Sequence, residues 1–316
     1  MKQVQFGTTG ITAFTLVYGT LPLGPLQAGL ATEDGGRLIR YALERGISMI
    51  DTAAIYRTYP HIRAGLSGWH GPVVLASKTH AVDAATARLH VEEALRELGR
   101  DRLDIVHLHA ARLADPFTDR ATVLDELLAM KEEGKIAHVG LSSHYIAAFR
   151  LALRHPEIEV IHPLINRTGM GILDGTAAEM AGAIAACARA GKGVYAMKAL
   201  AGGNLISEAR QSLAYVAGLD GVHGLAIGML SEREIDANIA LLDSGVADDA
   251  TWQKLETRRR RLKIMEQFCK GCGMCVEICG SSSLSLVNGK AVVDEATCVL
   301  CGYCGAACPD FMIRVV

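Results

Sequence analysis

Short apolar segments alternate with amphipathic segments over the first 247 residues of this 316-residue chain. The apolar segments are rich in β-branched residues and are typical of strands, whereas amphipathic segments such as TARLHVEEALRELG end at glycine, as helices do. Eight strands are predicted, at 16–20, 48–53, 73–78, 104–109, 138–142, 160–166, 194–200 and 224–230. Because apolar strands separated by helices form a parallel sheet buried on both faces, eight such units predict an α/β chain with a (β/α)8 TIM barrel.

The predicted barrel occupies residues 1–247 and is followed by two further segments. A doubly wound sheet is the alternative architecture, but no G-x-G-x-x-G motif follows the first strand. The opening segment KQVQFGTTGITAFTLVYG predicts a hairpin over the N-terminal end of the barrel. Residues 248–265 are expected to form a linker helix, in which the basic run Arg258–Arg261 faces solvent. Residues 266–316 are expected to form a small α+β domain.

Eight of the nine cysteines lie between residues 269 and 308, in two runs that share the spacing C-x2-C-x2-C-x3-C. The first run comprises Cys269, Cys272, Cys275 and Cys279, and the second comprises Cys298, Cys301, Cys304 and Cys308. This spacing is the ligand pattern of [4Fe–4S] clusters in bacterial ferredoxins. Zinc sites and disulfides are the alternatives, but zinc sites usually combine two C-x2-C pairs rather than three cysteines at successive spacings.

The two runs predict two clusters that exchange one ligand each, because the fourth cysteine of each run serves the other cluster in two-cluster ferredoxins. One cluster is therefore assigned to Cys269, Cys272, Cys275 and Cys308, and the other to Cys298, Cys301, Cys304 and Cys279. An Asn288–Gly289 hairpin signal lies between the runs, which fits a ferredoxin-like domain. A domain this small has little apolar core, so its clusters are expected to supply much of its folding free energy.

Composition and charge exclude several other classes of protein. Half of the residues are hydrophobic and the net charge is −2, which fits a globular enzyme and gives no reason to expect binding to nucleic acid or a membrane surface. The sequence shows no apolar signal core and no apolar run of about 18 residues, so no membrane span is predicted. Cysteine clusters of this kind need a reducing compartment, and the cytoplasm is the expected location. Cys187 lies in an apolar helical segment and is expected to be buried.

Polar side chains stand at the C-terminal ends of three successive predicted strands, where barrel enzymes place their catalytic residues. Asp51 ends the second strand and Tyr56 follows it. Lys78 ends the third strand and His109 ends the fourth. A phenol can protonate a carbonyl oxygen if a nearby ammonium lowers its pKa, and a carboxylate keeps that ammonium charged and in place. An imidazole can orient the carbonyl or share the proton. These residues therefore predict a site for proton transfer to a carbonyl oxygen.

Further histidines lie on or near the same strands. His107 is two residues before His109 and shares its inward face. It is either a hydrogen-bonded core histidine or a member of a proton relay beneath His109. His80, His144 and His162 also lie near strand ends, but their spacing matches no metal motif.

Seven motifs in the barrel part carry a family resemblance: GTLPLG, DTAAIY, LASK, DIVHLH, GKIAHVGLSSH, MKALAGG and REIDANI. With these motifs the chain resembles the aldo-keto reductases over residues 1 to about 245. The resemblance implies that Tyr56 donates the proton and that Lys78 lowers its pKa. It also implies that Asp51 pairs with Lys78 and that His109 orients the carbonyl of an aldehyde or ketone. The hydride would come from NAD(P)H, bound without a Rossmann fold.

The resemblance further implies a nicotinamide site, from which this chain departs in places. Ser142 matches the serine of the family, but Ser143, His162 and Met197 stand where Asn, Gln and an aromatic residue are usual. The expected contacts are Gly19, Thr20, Ser142, Ser143, His162, Asn166, Met197, Lys198, Glu234 and Asn238. The loop RTYPHIRAG after Tyr56 also departs from the glycine and acidic stretch usual in the family.

Gly228 precedes the motif REIDANI and Glu234 is its second residue, and at these positions NADP-preferring members of the family place Lys and Arg. A carboxylate repels a 2′-phosphate but accepts a hydrogen bond from a free ribose hydroxyl. NAD(H) is therefore expected to bind at least as well as NADP(H). Arg233 or Lys198 would have to supply the phosphate contact for the opposite preference.

Three functions are compatible with these features. The first is a carbonyl reductase joined to a two-cluster electron relay, acting on a small carbonyl or alcohol. The second is a ferredoxin- or flavin-linked reductase without direct hydride transfer from a nicotinamide; no flavin motif is recognisable. The third is an electron-carrier subunit with an idle barrel, against which the retained polar residues argue. A redox partner protein and an oligomeric assembly are both compatible with the sequence.

Overall fold

The chain is seen in a computed structural model that describes residues 3–246, 248–310 and 312–315. Within this part of the chain the strands are β1 (Gln3–Gln5), β2 (Thr12–Phe14), β3 (Leu16–Gly19), β4 (Met49–Asp51), β5 (Val74–Thr79), β6 (Leu103–Ala110), β7 (Ile136–Ser143), β8 (Val160–Pro163), β9 (Gly193–Met197), β10 (Gly224–Ile227), β11 (Leu262–Ile264), β12 (Leu284–Val287), β13 (Lys290–Val293) and β14 (Ile313–Val315).

The helices of the same residues are α1 (Thr32–Glu44), α2 (Tyr59–Leu66), α3 (Ala84–Leu98), α4 (Pro116–Asp119), α5 (Ala121–Glu132), α6 (Ile146–Ala152), α7 (Ala177–Arg189), α8 (Ala209–Ala217), α9 (Glu232–Ser244), α10 (Asp249–Glu256), α11 (Met274–Glu277) and α12 (Tyr303–Ala307). Their ends follow local capping rules: the Asp83 side chain accepts from Thr86 N at the start of α3, and Gly99 ends that helix with a φ of 64°. In the described ranges no helix has the length and apolar character needed to cross a membrane.

Strands β3 to β10 close into a parallel barrel in chain order, with β10 pairing against β3. All eight predicted strands are therefore confirmed, and the doubly wound alternative is excluded. Parallel pairing brings the C-terminal ends of the strands to one face of the barrel, and β4, β5 and β6 are direct neighbours there. The side chains at the ends of these three strands consequently meet at one mouth.

The predicted hairpin at the start of the chain is confirmed by the antiparallel pairing of β1 with β2. It places Phe6, which is fully buried, against Val17, Met49 and Tyr195 in the core of the barrel. Gly193 admits this approach, because a Cβ there would be 3.2 Å from Phe6 Cβ. The hairpin thus closes the barrel at the end opposite the strands' C-terminal ends.

The C-terminal part differs from its prediction at the linker. The helix α10 ends at Glu256, and the next strand, β11, pairs antiparallel with β14. The predicted linker helix 248–265 is therefore wrong beyond Glu256, because tertiary pairing overrides the helical propensity of this polar stretch. Strands β12 and β13 form the predicted hairpin, with φ of 49° at Asn288 and 70° at Gly289. The predicted boundary at residue 247 lies outside the described residues.

The segment that carries the second cysteine run packs on the loops at the barrel mouth. Gly202, with a φ of 72°, makes room for the chain here, since a Cβ would lie 1.8 Å from the Val299 carbonyl oxygen. Asn204 Nδ2 donates to the Cys298 carbonyl oxygen at 2.7 Å. The small C-terminal domain, called the cysteine module below, therefore forms one wall of the mouth.

Candidate active site

A buried ion pair lies at the centre of the barrel mouth. Lys78 Nζ donates to Asp51 Oδ1 and Oδ2, both at 2.6 Å, and to the Thr52 carbonyl oxygen at 2.8 Å. The Lys78 side chain is 0% exposed and that of Asp51 is 6% exposed. Burial lowers the pKa of Lys78, and the Asp51 carboxylate opposes this by favouring the ammonium. The expected pairing of Asp51 with Lys78 is thus present in the geometry.

Tyr56 lies above this pair in a short 3₁₀ turn after β4, which ends at Arg57 with a left-handed φ of 55°. Lys78 Nζ lies 5.2 Å from the centroid of the Tyr56 ring. The pKa of Tyr56 is nevertheless raised well above its ordinary value, mainly by burial. Burial disfavours the phenolate and outweighs the ammonium of Lys78, whose charge Asp51 balances, so the lowering role of Lys78 stays a prediction.

His109 ends β6 beside Tyr56, with the two rings edge to face at a centroid distance of 6.5 Å. Burial, followed by the positive charge of Lys78, holds the pKa of His109 well below its ordinary value. The imidazole is therefore neutral at physiological pH and can orient a ligand by hydrogen bonding without adding charge. The four predicted polar residues, Asp51, Tyr56, Lys78 and His109, do converge on one mouth.

Tyr195 in β9 belongs to the same buried network, and the sequence reasoning missed it. Its hydroxyl donates to Asp51 Oδ2 at 2.8 Å and lies 2.6 Å from His107 Nε2. Since the single Tyr195 proton goes to Asp51, His107 Nε2 must be the donor to Tyr195. His107 is thus a hydrogen-bonded core histidine, and through Tyr195 it is connected to Asp51, so its membership of a proton relay stays a prediction. Tyr195 lies two residues before Met197 on the same strand, so alternation along the strand turns both side chains to the same face. This pattern could have identified Tyr195 from the sequence.

A cavity of about 430 Å³ opens beside Asp51 and Tyr56. Six of the ten residues predicted to contact a nicotinamide line it: Gly19, His162, Met197, Lys198, Glu234 and Asn238. His162 stacks on the Tyr195 ring at a centroid distance of 4.1 Å and donates from Nδ1 to the Tyr195 carbonyl oxygen. The cavity is within the size range of small-molecule and cofactor sites.

The other four predicted contacts lie outside the cavity lining. The Thr20 hydroxyl interacts with the Asp51 carbonyl oxygen, and the Ser143 hydroxyl donates to the Ala110 carbonyl oxygen. The Asn166 amide donates to the Met170 carbonyl oxygen within its own loop. These three side chains support loops of the mouth.

Buried polar atoms without a protein partner mark the places where a bound ligand would contribute hydrogen bonds. Several buried polar atoms of the described residues have none, and two of them, Ser142 Oγ and Asn238 Oδ1, belong to the predicted nicotinamide contacts. Asn238 lines the cavity, and Ser142 in β7 pairs in register with His162, which also lines it. A buried polar atom left unpaired is costly, so these two atoms fit a site that is completed by a polar cofactor.

Arg258, Arg259 and Arg260 also line the cavity. They follow α10 in a segment without helical structure, so the expected helix is wrong for these three residues, whereas Arg258 and Arg259 are exposed to solvent as expected. Arg258 pairs with Glu234, and Arg260 donates to Gln27 Oε1 at 2.6 Å. The pairing of β11 with β14 begins immediately after them, and the segment that carries the arginines borders the cavity. Sequence reasoning missed them because this pairing has no local signal.

The sequence pattern of the Aldo/keto reductase family matches residues 15–212, more than half of the chain. The chain belongs to the aldo/keto reductase family. L-galactose dehydrogenase of Arabidopsis thaliana is 23% identical over 182 residues, which are 54% of this chain and 57% of that protein. Aldo-keto reductase YhdN of Bacillus subtilis is 31% identical over 183 residues, which are 52% of this chain and 54% of that protein. The chain thus spans about half the length of the curated relatives it matches.

Solved structures of the family share the barrel. A Pseudomonas aeruginosa protein named as an aldo-keto reductase is 26% identical, with a TM-score of 0.66, and covers 76% of this chain and 94% of its own. The holo form of aldo-keto reductase AKR11C1 from Bacillus halodurans shares the fold with a TM-score of 0.64 at 22% identity, covering 81% of this chain and 96% of its own. The family match ends at residue 212, so the three cavity-lining arginines and the cysteine module lie beyond it.

Beyond the part shared with the aldo/keto reductase family, the cysteines of the module fall into two groups. Cys269, Cys272, Cys275 and Cys308 line a small cavity of about 20 Å³. The other group consists of Cys298, Cys301, Cys304 and Cys279, of which three act electrostatically on the Cys304 thiol. In the described residues, no group of three or more His, Cys, Asp or Glu side chains is arranged to hold a metal ion. Burial raises the pKa of Cys304, whereas a backbone N–H bond lowers that of Cys269.

Tyr303 is a further residue that the sequence reasoning missed. It is the first residue of α12 in the cysteine module, and its ring lies edge-on to His109 at a centroid distance of 6.3 Å. It also packs against the buried group formed by Leu26, Ala53 and Tyr56. A residue from the cysteine module therefore reaches the proton-transfer site of the barrel.

Proposed function

We propose that this chain is a carbonyl reductase of the aldo-keto reductase type, acting on a small aldehyde or ketone with a nicotinamide cofactor. The observation that carries the proposal is the buried Asp51–Lys78 pair beneath Tyr56, at the end of a cavity of about 430 Å³. Burying a charged side chain costs free energy unless an opposite charge pairs with it. Titratable side chains with perturbed pKa values beside a cavity are characteristic of catalytic sites.

Each polar residue of the mouth then has its own role in proton transfer. Tyr56 donates its hydroxyl proton to the carbonyl oxygen, while the nicotinamide, when bound, supplies the hydride to the carbonyl carbon. The raised pKa of Tyr56 keeps the phenol protonated before the reaction. The Lys78 ammonium stabilises the phenolate that forms, and Asp51 holds the ammonium in place. Neutral His109 orients the carbonyl oxygen, and solvent returns a proton to Tyr56.

Reduction of small aldehydes by the full-length protein tests this function. The protein is purified without oxygen and mixed with NADPH and propanal or benzaldehyde, and the loss of reduced-nicotinamide absorbance is followed with product analysis by chromatography. Stoichiometric formation of the alcohol supports the proposal. Tight nicotinamide binding without any alcohol from a broad set of aldehydes and ketones would contradict it.

The cations of the cavity support NADP(H) rather than NAD(H) as the cofactor. Arg258 pairs with Glu234, which removes the repulsion that the sequence led us to expect from this carboxylate. Arg259 donates to backbone carbonyl oxygens and Arg260 donates to the neutral Gln27 side chain, so these contacts do not neutralise their charges. Guanidinium groups bind phosphates through charge-assisted hydrogen bonds. The cofactor preference inferred from the sequence is therefore reversed in our proposal.

Replacing Arg259 by alanine should weaken NADPH binding by roughly 10-fold or more, because a hydrogen bond to a charged group contributes about 1.5–3 kcal/mol. NADH binding should change much less if Arg259 contacts the 2′-phosphate. Arg261→Ala is the matched control, since Arg261 is the exposed neighbour and is outside the cavity lining. Fluorescence titration or calorimetry of both cofactors measures the constants. Equal losses for NADPH and NADH, or an equal loss in the control, would rule out the phosphate contact.

We also propose that the cysteine module holds two [4Fe–4S] clusters, with the ligand sets expected from the cysteine spacing. Support comes from the cavity that the first set of four cysteines lines. Backbone N–H groups lie 3.2–3.4 Å from the sulfur atoms of Cys269, Cys279 and Cys308. Such N–H bonds to sulfur stabilise thiolate charge and tune cluster potentials. Each of the four thiolates of a [4Fe–4S] cluster binds a different iron atom. The four cysteines of one cluster are therefore farther apart than the ligands of a single metal ion.

Anaerobic reconstitution should load about eight iron and eight acid-labile sulfide per chain. Cys279→Ser should remove or damage the cluster that the second run serves, and so lower the iron content by about half. Cys187→Ala is the control, because Cys187 is fully buried in the barrel, where its thiol donates to the Phe149 carbonyl oxygen. Iron and sulfide assays with EPR of the reduced protein provide the measurement. Four irons or fewer in reconstituted wild type, or stoichiometric zinc, would overturn the assignment.

A second candidate function is favoured by one contact. Cys301, a proposed ligand of the second cluster, lines the same cavity as Tyr56 and Asp51. This position suits exchange of single electrons between the cluster, when present, and a ligand in the cavity, as in a ferredoxin- or flavin-linked reductase. Clusters reduced anaerobically with dithionite in the full-length protein should then regain their visible absorbance when aldehyde is added, as two electrons from the two clusters and two protons from solvent convert the aldehyde to the alcohol. Unchanged absorbance on adding aldehyde would leave the module with a structural role.

A further inference from the structure

Tyr303 belongs to the cysteine module but occupies the proton-transfer site of the barrel. Its ring packs on Tyr56 together with Leu26 and Ala53. It also lies edge-on to the His109 ring, with 6.3 Å between the centroids. The rings of Tyr56 and His109 are themselves 6.5 Å apart. A third ring therefore fills the space in front of the two residues that must both reach a carbonyl oxygen.

The backbone around Tyr303 is fixed against the barrel. Gly302 has a φ of 82°, and a Cβ at this position would lie 2.2 Å from the Leu26 carbonyl oxygen, so only glycine allows the approach. On the N-terminal side, Gln27 Nε2 donates to the Leu300 carbonyl oxygen at 3.3 Å. These contacts hold the start of α12 close to the mouth, and they set how far the Tyr303 ring can move.

The Tyr303 ring divides the mouth into two sides. Tyr56 lines the large cavity. Among the described residues, His109 is outside the lining of this cavity, and the Tyr303 ring packs edge-on against it. Tyr303 is also close enough to Tyr56 to raise the pKa of its hydroxyl, the group that must donate to a substrate oxygen, although burial is the main cause of that shift. A substrate that reaches both Tyr56 and His109 must share the space beside them with the Tyr303 ring.

We propose that Tyr303 is a specificity-determining residue, whose ring limits the size of the group that a substrate can place between Tyr56 and His109. This inference rests on the proposed carbonyl reductase function. It means that the cysteine module selects the substrate of the barrel, independently of whether electrons pass from its clusters. Small aliphatic aldehydes are then the preferred class, and bulky aromatic aldehydes are discriminated against by steric overlap with the ring.

The test compares propanal with 2-naphthaldehyde in the full-length, anaerobically purified protein. Tyr303→Ala should raise kcat/KM for 2-naphthaldehyde relative to propanal by roughly 10-fold or more, the range typical of steric discrimination in an apolar pocket. Tyr303→Trp should lower the same ratio, whereas Tyr303→Phe, which keeps the ring, should leave it near the wild-type value. Calorimetric binding of each aldehyde in the absence of NADPH gives a second readout that does not depend on turnover.

Iron content is measured for every variant, so that loss of the module is recognised. If Tyr303→Ala loses iron, the comparison of Tyr303→Trp with Tyr303→Phe carries the test. A ratio that is the same in wild type and in all iron-replete variants, by kinetics and by binding, overturns the inference while leaving the carbonyl reductase function in place. Absence of aldehyde reduction and aldehyde binding in every protein overturns both.

Discussion

Replacing Tyr56 by phenylalanine should reduce aldehyde turnover by roughly 10²- to 10⁴-fold, the usual contribution of a general acid. The substitution removes the hydroxyl and keeps the ring, which packs against Leu26 and Ala53 and lies over the Lys78 ammonium. Substrate and NADPH binding should therefore change little. The expected signature is a large loss in kcat with a small change in KM, because the proton is needed in the transition state rather than for binding.

The control for this experiment is Tyr59→Phe. Tyr59 is buried three residues further along, and its hydroxyl lies 2.9 Å from Ser77 Oγ, so the variant loses a comparable buried hydroxyl outside the mouth. Its turnover should stay close to that of wild type. Steady-state kinetics with propanal, and calorimetric titration of NADPH, measure both effects. Turnover in Tyr56→Phe that matches the control would show that another group supplies the proton, and would remove the basis of the proposed mechanism.

The barrel and the meeting of Asp51, Lys78 and His109 at its mouth follow from local signals. Strand periodicity fixes which segments form the sheet, and parallel pairing then brings their C-terminal ends to one face. A residue at the end of a strand is thereby placed without any knowledge of side-chain packing. The same reasoning could have found Tyr195, because alternation along β9 turns it to the same side as Met197.

Tyr303 and Arg259 could not be found in this way. They reach the mouth through contacts between segments far apart in the chain, such as the pairing of β11 with β14 and the approach of Gly302 to Leu26. Pairings of this kind leave no periodic pattern near the residues they position. The basic run therefore had the composition of a solvated helix, although the structure places its first three arginines along the cavity.

The pKa of Tyr56 shows a different limit of sequence reasoning. A neighbouring Lys78 predicts a lowered pKa, and the neighbour is present. The sequence does not reveal how deeply the phenol is buried or that Asp51 balances the lysine charge with two contacts of 2.6 Å. Burial then decides the direction, and the pKa is raised. Burial raises the pKa of a phenol and a neighbouring ammonium lowers it, and only the three-dimensional structure shows which effect is larger.

Replacing Lys78 by methionine should reduce stability by about 3–5 kcal/mol, the usual cost of breaking a buried ion pair from one side. Methionine fills much of the same space, but it leaves the Asp51 carboxylate buried without its ammonium. The hydrogen bond from the Tyr195 hydroxyl, at 2.8 Å, remains and offsets only part of this cost. Catalysis should fall as well, because the phenolate of Tyr56 loses its nearest cation.

The double variant Asp51→Asn with Lys78→Met separates charge from packing. Replacing both members of a buried pair is much less costly than removing one, so the double variant should recover much of the lost stability. It should not recover activity, because no ammonium is restored near Tyr56. Midpoints of urea unfolding, followed by circular dichroism on iron-replete protein, give the comparison. A double variant that is no more stable than Lys78→Met would show that the lysine acts through its packing.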